Sequence, residues 1–149
     1  MNVAIPENSV NVQYHSLPRL FTAIKDSTIM FFNETYQNSY STEQISATTK
    51  ISFSTPTAFY ATIQSKYSAS SLLGKLERLS HLPTGSLFRY DLDSRQYRTI
   101  SSINSPSDIV CSNDGKYVFV AEPSMSRVRV FETGRLGSLR QVFAAEGLV

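Results

Sequence analysis

From Pro83 onward the sequence is cut into apolar segments of four to seven residues, each ended by residues that turn a chain. Ser86–Leu92 is bounded by Pro83-Thr84-Gly85, and the short polar link Asp93-Ser94-Arg95 joins it to Gln96–Ile100 at hairpin length. Asp108–Ser112 follows Pro106. Asn113-Asp114-Gly115 is the strongest turn signal in the chain, because Asp and Gly tolerate the positive φ that a tight hairpin needs. Lys116–Glu122 reads as a strand buried on both faces and ended by Pro123, which lacks a donor. Arg127–Glu132 alternates, with Arg127 and Arg129 on one face and Val128 and Val130 on the other. Arg140–Ala144 is a last short strand. Strands of this length, at roughly 8–12-residue spacing, belong to an all-β sandwich, barrel or propeller.

The N-terminal half is more even. Leu17–Ile24 and Thr28–Phe32 read as strands joined at Lys25-Asp26-Ser27, and Lys50–Phe53 as an isolated one. Residues 36–66 are rich in Ser, Thr and Tyr and read as loop. Between Ala69 and Leu79 the period changes: Leu72, Leu73, Leu76 and Leu79 share one helical face, with Lys75, Glu77 and Arg78 off it. Ser68, Ser70 or Ser71 can cap this helix, and Gly74 costs it about 1 kcal/mol.

Residues 25–34 parallel residues 113–122 at an offset of 88, matching Asp26 to Asp114, Phe31 to Phe119 and Glu34 to Glu122. A strand–turn–strand unit used twice points to four-stranded meanders, the unit of a β-propeller. On this reading one blade runs over 17–101, with an insertion at 36–80, and a second over 108–144. The insertion emerges at one end of the propeller, where its leucine face covers the mouth of the central channel.

Composition closes off other classes. A net charge of +2, from 14 basic and 12 acidic residues, is too small for a nucleic-acid-binding face. Cys111 is the single cysteine, so neither a disulfide framework nor a multi-cysteine metal site is available; it reads as a small core residue. No stretch approaches the roughly 18 apolar residues of a membrane span. The first eight residues lack the basic start and apolar run of a signal peptide. His15 and His81 have no Ser, Cys or Asp at a triad-like spacing. Asn33-Glu34-Thr35 fits the glycosylation acceptor pattern. Arg127, Arg129, Arg135 and Arg140 read as a solvated edge that discourages strand pairing.

Several segments resemble a known family. Pro83–Asp91 is similar to the "PTGRLLRYD" segment of strictosidine synthase-like proteins, Pro106–Glu122 to their "FPNGVALSPDGSFVLVAE" segment, and Ser124–Val130 to "TMARIRRV". Ser65-Lys66-Tyr67 and the leucine helix resemble the family's cap, and Thr28–Glu34 its "TIYFTDSS" strand. The likeness runs from Tyr67 to Leu148. Strictosidine synthase and the adipocyte plasma membrane-associated protein stand nearest within it; paraoxonases and related lactonases are more distant.

The resemblance implies a six-bladed propeller with a substrate pocket at one end of its channel. It implies either amine–aldehyde condensation by a catalytic glutamate (lyase chemistry) or calcium-dependent hydrolysis of esters or lactones. It also implies a secretory or membrane-associated location. The residues depart from both chemistries. Ser107 stands where metal-binding relatives carry the asparagine of "PNG", and Pro18-Arg19 falls at their "ND", so no metal or other cofactor is expected. The condensing glutamate belongs to a last blade with no counterpart here, and Glu122 reads as structural. No catalytic residue is therefore assigned. Tyr67, Leu72, Leu73 and Leu76 are the candidates to line a substrate pocket.

Two blades cannot close a ring, and a six-bladed propeller needs roughly twice this length. The expectation is thus a truncated propeller, inactive as an isolated chain, or a non-catalytic binding or structural remnant of the same fold. Its expected partners are a small-molecule substrate, once the ring is completed, and further copies through open blade edges, with no nucleic acid.

Overall fold

The computed structural model describes residues 3–41, 45, 49–64, 72, 73, 75, 76 and 85–133, with the backbone of 139–144. The chain divides into two compact units, Met1–Thr49 and Lys50–Val149.

The first unit is one antiparallel meander: β1 (Val10–His15), β2 (Leu20–Lys25), β3 (Thr28–Phe32) and β4 (Gln37–Ser41), in that spatial order. Leu20, Thr22, Ile24, Ile29 and Phe31 fill one face and are buried. Asp26 takes φ +52° in the β2–β3 turn, a left-handed conformation that a short Asp side chain tolerates. After β3 the Asn33 side chain closes an Asx turn, its Oδ1 accepting from the Thr35 and Tyr36 backbone N–H groups at 2.9 and 2.7 Å.

The second unit holds two such meanders. The first comprises β5 (Lys50–Thr55), β6 (Ala58–Ile63), β7 (Gly85–Asp91) and β8 (Gln96–Ile103). The second comprises β9 (Asp108–Cys111), β10 (Tyr117–Glu122), β11 (Arg127–Glu132) and β12 (Leu139–Ala144). A 3-10 turn, Pro123–Met125, connects β10 to β11. Tyr60, Leu87 and Ile103 of the β5–β8 sheet form one core with Ile109, Val118, Val120 and Phe131 of the β9–β12 sheet. The inner strands are tied directly, the Cys111 N–H donating to Ser52 Oγ at 2.9 Å. Gly115 is required at the β9–β10 turn: its φ is +70°, and a Cβ there would collide with the Ser54 carbonyl.

Three sequential four-stranded antiparallel meanders make the chain all-β and assign it the blade architecture of a propeller. The span 17–101 does not form one blade, because Phe31 pairs with Asn38 of β4 rather than with the Leu87 strand. The stretch 36–80 is not an insertion either: β4, β5 and β6 lie within it as strands of two different sheets, and the β6–β7 connection is residues 64–84. The offset of 88 aligns the third strand of one sheet with the second strand of another, so it is not the blade repeat. β10 is buried on one face only, alternating with half-exposed residues, and is not sealed on both sides.

Candidate functional site

The end of the second unit where β6 leaves its sheet gathers most of the residues that carry chemistry. Ile63 at the end of β6 pairs with Ser86, and Gly85 at the start of β7 pairs with Ile103 at the end of β8. The 64–84 connection therefore departs and returns where the 104–107 crossover sets out for β9. Asp108 opens β9 opposite Ala121, beside the β10–β11 turn. Three connections meet at one end of the two sheets.

Glu122 organises this end. It is fully buried. Its Oε1 accepts the Asn104 backbone N–H at 2.6 Å, and its Oε2 accepts Arg127 Nε at 2.5 Å. Arg129 Nη1 stands 3.6 Å from Oε1 and also donates to the Ser102 carbonyl at 3.0 Å, while its guanidinium lies 5.0 Å over the Phe131 ring. Ser124 Oγ donates to Asn104 Oδ1 at 2.8 Å. The register explains the cluster: Glu122 faces Arg127, and Val120 faces Arg129, so all three charged side chains project to the core side of the hairpin. The alternation of Arg127–Glu132 is as the sequence suggests, but Arg127 and Arg129 are not a solvated edge. A buried carboxylate needs paired charge and donors, and the arginines supply both. Arg135 lies outside the described residues, as do the side chains of β12, Arg140 among them.

Glu122 thus pins the crossover that delivers Ser107 and Asp108 to the inner strand, and both of these residues are exposed. Ser107 N–H donates to the Ala121 carbonyl at 3.0 Å, and Asp108 Oδ1 accepts its neighbour Ile109's N–H at 2.8 Å. Of the pocket candidates, Leu72, Leu73 and Leu76 are helical and exposed at 73%, 55% and 52%. Tyr67 lies outside the described residues, with Leu79, His81 and the capping serines.

The other reactive groups are quiescent. Burial pushes the Cys111 thiol up to about 11, opposed by its hydrogen bond to Ser52, so it stays protonated at neutral pH. Burial lowers His15 to about 4, and its Nε2 sits 2.8 Å from the buried Thr22 hydroxyl. Among the described residues no three His, Cys, Asp or Glu side chains gather as a metal-binding group. Calcium asks for six to eight oxygen ligands. At this end Glu122 is committed to Asn104, Arg127 and Arg129, and Ser107 offers only a hydroxyl where the motif would supply an amide oxygen. The described residues do not fit calcium, and no chemistry is routed through it.

Blades joined by short crossovers, with connections crowded at one end, define a propeller-type protein. The family model of the arylesterases matches residues 20–145, and the chain belongs to the arylesterase family. This is a paraoxonase-like propeller family, the group that the motifs place at greater distance. Hydrazine synthase from Kuenenia stuttgartiensis is similar in structure, with a TM-score of 0.61 at 15% identity over 93% of this chain. That likeness concerns the fold alone, and the chain spans 36% of that protein's length. No curated protein matches the sequence. No helix among the described residues is long and apolar enough to cross a membrane.

Proposed function

We propose that the chain supplies the ligand-binding end of an arylesterase-type propeller that takes small apolar esters or lactones. Tyr67, Leu72, Leu73 and Leu76 would form the apolar wall, and Ser107 and Asp108 the polar side. The observation that carries this reading is the meeting of the 64–84 connection, the crossover and the β10–β11 turn at one end of the sheets, with exposed leucines on the first. Small-molecule sites are mostly apolar with a few placed polar groups, which is what these residues offer.

On the same reading the isolated chain binds without turnover. Of the two carboxylates at this end, Glu122 has both oxygens engaged and is shut off from solvent, so it cannot reach a substrate, and Asp108 accepts the N–H of its neighbour Ile109 at the start of β9. The amine–aldehyde condensation of strictosidine synthase needs a free glutamate of just this kind. A non-catalytic binding role is therefore the reading for the chain alone. Titration with phenyl acetate, followed by amide chemical shifts, should move residues 72–76 and 107–108, and Leu76→Asp should abolish the movement. Shifts confined to other residues would overturn the assignment.

A further inference from the structure

The turn between β3 and β4 carries a motif that the ligand end does not use. Asn33-Glu34-Thr35 is the one Asn-X-Ser/Thr triplet in the sequence. It begins directly after Phe32, the last residue of β3. Glu34 and Thr35 are exposed, and Asn33 is half-buried. The Asn33 backbone N–H donates to the Tyr36 carbonyl at 2.9 Å, so the triplet is held in a tight turn.

This turn orients the Asn33 amide. The backbone N–H groups of Thr35 and Tyr36 donate to it at 2.9 and 2.7 Å, and only the oxygen of an amide can accept them. The Thr35 hydroxyl adds a longer donation to the same oxygen at 3.3 Å. Nδ2 keeps both hydrogens and makes no hydrogen bond among the described residues. Beside the amide, within the first unit, lies a cleft of about 230 Å³. Val3, Ala4, Pro6 and Tyr36 line it together with Asn33. Tyr36 is 39% exposed.

We propose that Asn33 is the attachment site of an N-linked oligosaccharide, presented ready-made by the folded turn, with the first sugar seated in this cleft. The donor is an oligosaccharide carried on a polyprenyl diphosphate, and the catalyst is an oligosaccharyltransferase. A bond forms between Nδ2 and the anomeric carbon of the sugar. The bond from that carbon to the diphosphate oxygen breaks, and the diphosphate leaves with the electron pair and takes up the Nδ2 proton. The C–H face of the sugar then covers apolar surface of Val3, Pro6 and Tyr36, removing it from water. A glycan is bulky and needs a surface position, which the exposed turn gives it. The site lies in the first unit and is independent of the ligand end proposed for the second.

The test incubates the purified, folded full chain with an oligosaccharyltransferase and a polyprenyl-diphosphate-linked oligosaccharide, with the peptide Thr28–Ser41 as an unfolded reference. The chain should gain one glycan, placed at Asn33 by peptide mass spectrometry. A chain that stays at 16.7 kDa overturns the proposal, whether or not the peptide is modified. Asn33→Asp keeps the oxygen that the turn needs, so its circular dichroism should match the parent while modification is lost. Thr35→Ser should still be modified and Thr35→Val should not. Transfer to Asn33→Asp or to Thr35→Val rejects the site. In the glycosylated chain, nuclear Overhauser contacts are expected between the first sugar and the Tyr36 ring, and their absence rejects the seat in the cleft.

Discussion

The two sheets of the second unit share a plan and are held by different forces. In the β5–β8 sheet the middle hairpin is aromatic: Phe59 meets Phe53, Tyr90 and Phe88 at centroid distances of 5.6, 5.4 and 6.3 Å, and β6 is buried throughout. In the β9–β12 sheet the middle hairpin is closed at one end by Glu122, Arg127 and Arg129, and its first strand, β10, is buried on one face only. A sheet covered on both sides gains enough from apolar area alone. The β9–β12 sheet, whose β10 is covered on one side, has less of that resource, and here a buried ion cluster fixes its docking on the neighbouring blade. Such a cluster sets geometry more than it adds stability.

Removing the anchors should produce the largest effects. Phe59→Ala and Glu122→Ala are each expected to cost about 3–5 kcal/mol in denaturant unfolding, the first through a cavity and the second by leaving two arginines without a carboxylate. The comparison predicts that only the second can be repaired. Glu122→Met combined with Arg127→Leu and Arg129→Met should return most of the loss, because an apolar cluster of similar volume replaces the ions. If that triple variant is no more stable than Glu122→Ala, the charges do more than fix docking.

A smaller effect is expected at the turn that seats the β9–β12 sheet on its neighbour. Gly115→Ala adds a Cβ at φ +70° against the Ser54 carbonyl and should cost about 1–3 kcal/mol. A thermal midpoint within error of the parent would show that the two sheets separate freely there.

The smallest effects belong to the turn carboxylates, one per sheet. Backbone donation from Ser94, and then from Asp93, holds the Asp91 carboxyl below its ordinary range despite slight opposing desolvation. The Ser112 hydroxyl, followed by the Lys116 N–H, does the same for Asp114. Both groups bind protons less readily folded than unfolded. Their stabilisation is present above the ordinary carboxylate pKa and is lost as pH falls through the folded values. Asp91→Asn and Asp114→Asn should each flatten the acid limb of stability slightly. An effect on one sheet alone would break the symmetry of the two turns.

Strand content was readable where apolar residues alternate between turn formers, as in Arg127–Glu132. It was not readable in Gln37–Ser41, whose side chains are nearly all polar because β4 is an edge strand with little to bury. It was also hidden in Ala58–Ile63, where burial on both faces removes the alternation. The arginine face shows a second limit. Alternation puts Arg127 and Arg129 together, but which side they occupy depends on Glu122 across the hairpin. The four-residue link from Pro123 to Ser126 would have revealed that register. The leucines at 72, 73 and 76 were legible as helical, whereas the end at which the connection that carries them leaves and re-enters the sheet depends on the pairing of β6, β7 and β8.

The central functional claim is that this end binds an ester without cleaving it, because its buried carboxylate, Glu122, is sealed. Phenol release from phenyl acetate by the purified chain tests this most directly. The expected rate equals that of buffer alone, with or without Glu122→Gln. Saturable release that Glu122→Gln abolishes would contradict the claim and make Glu122 a working group.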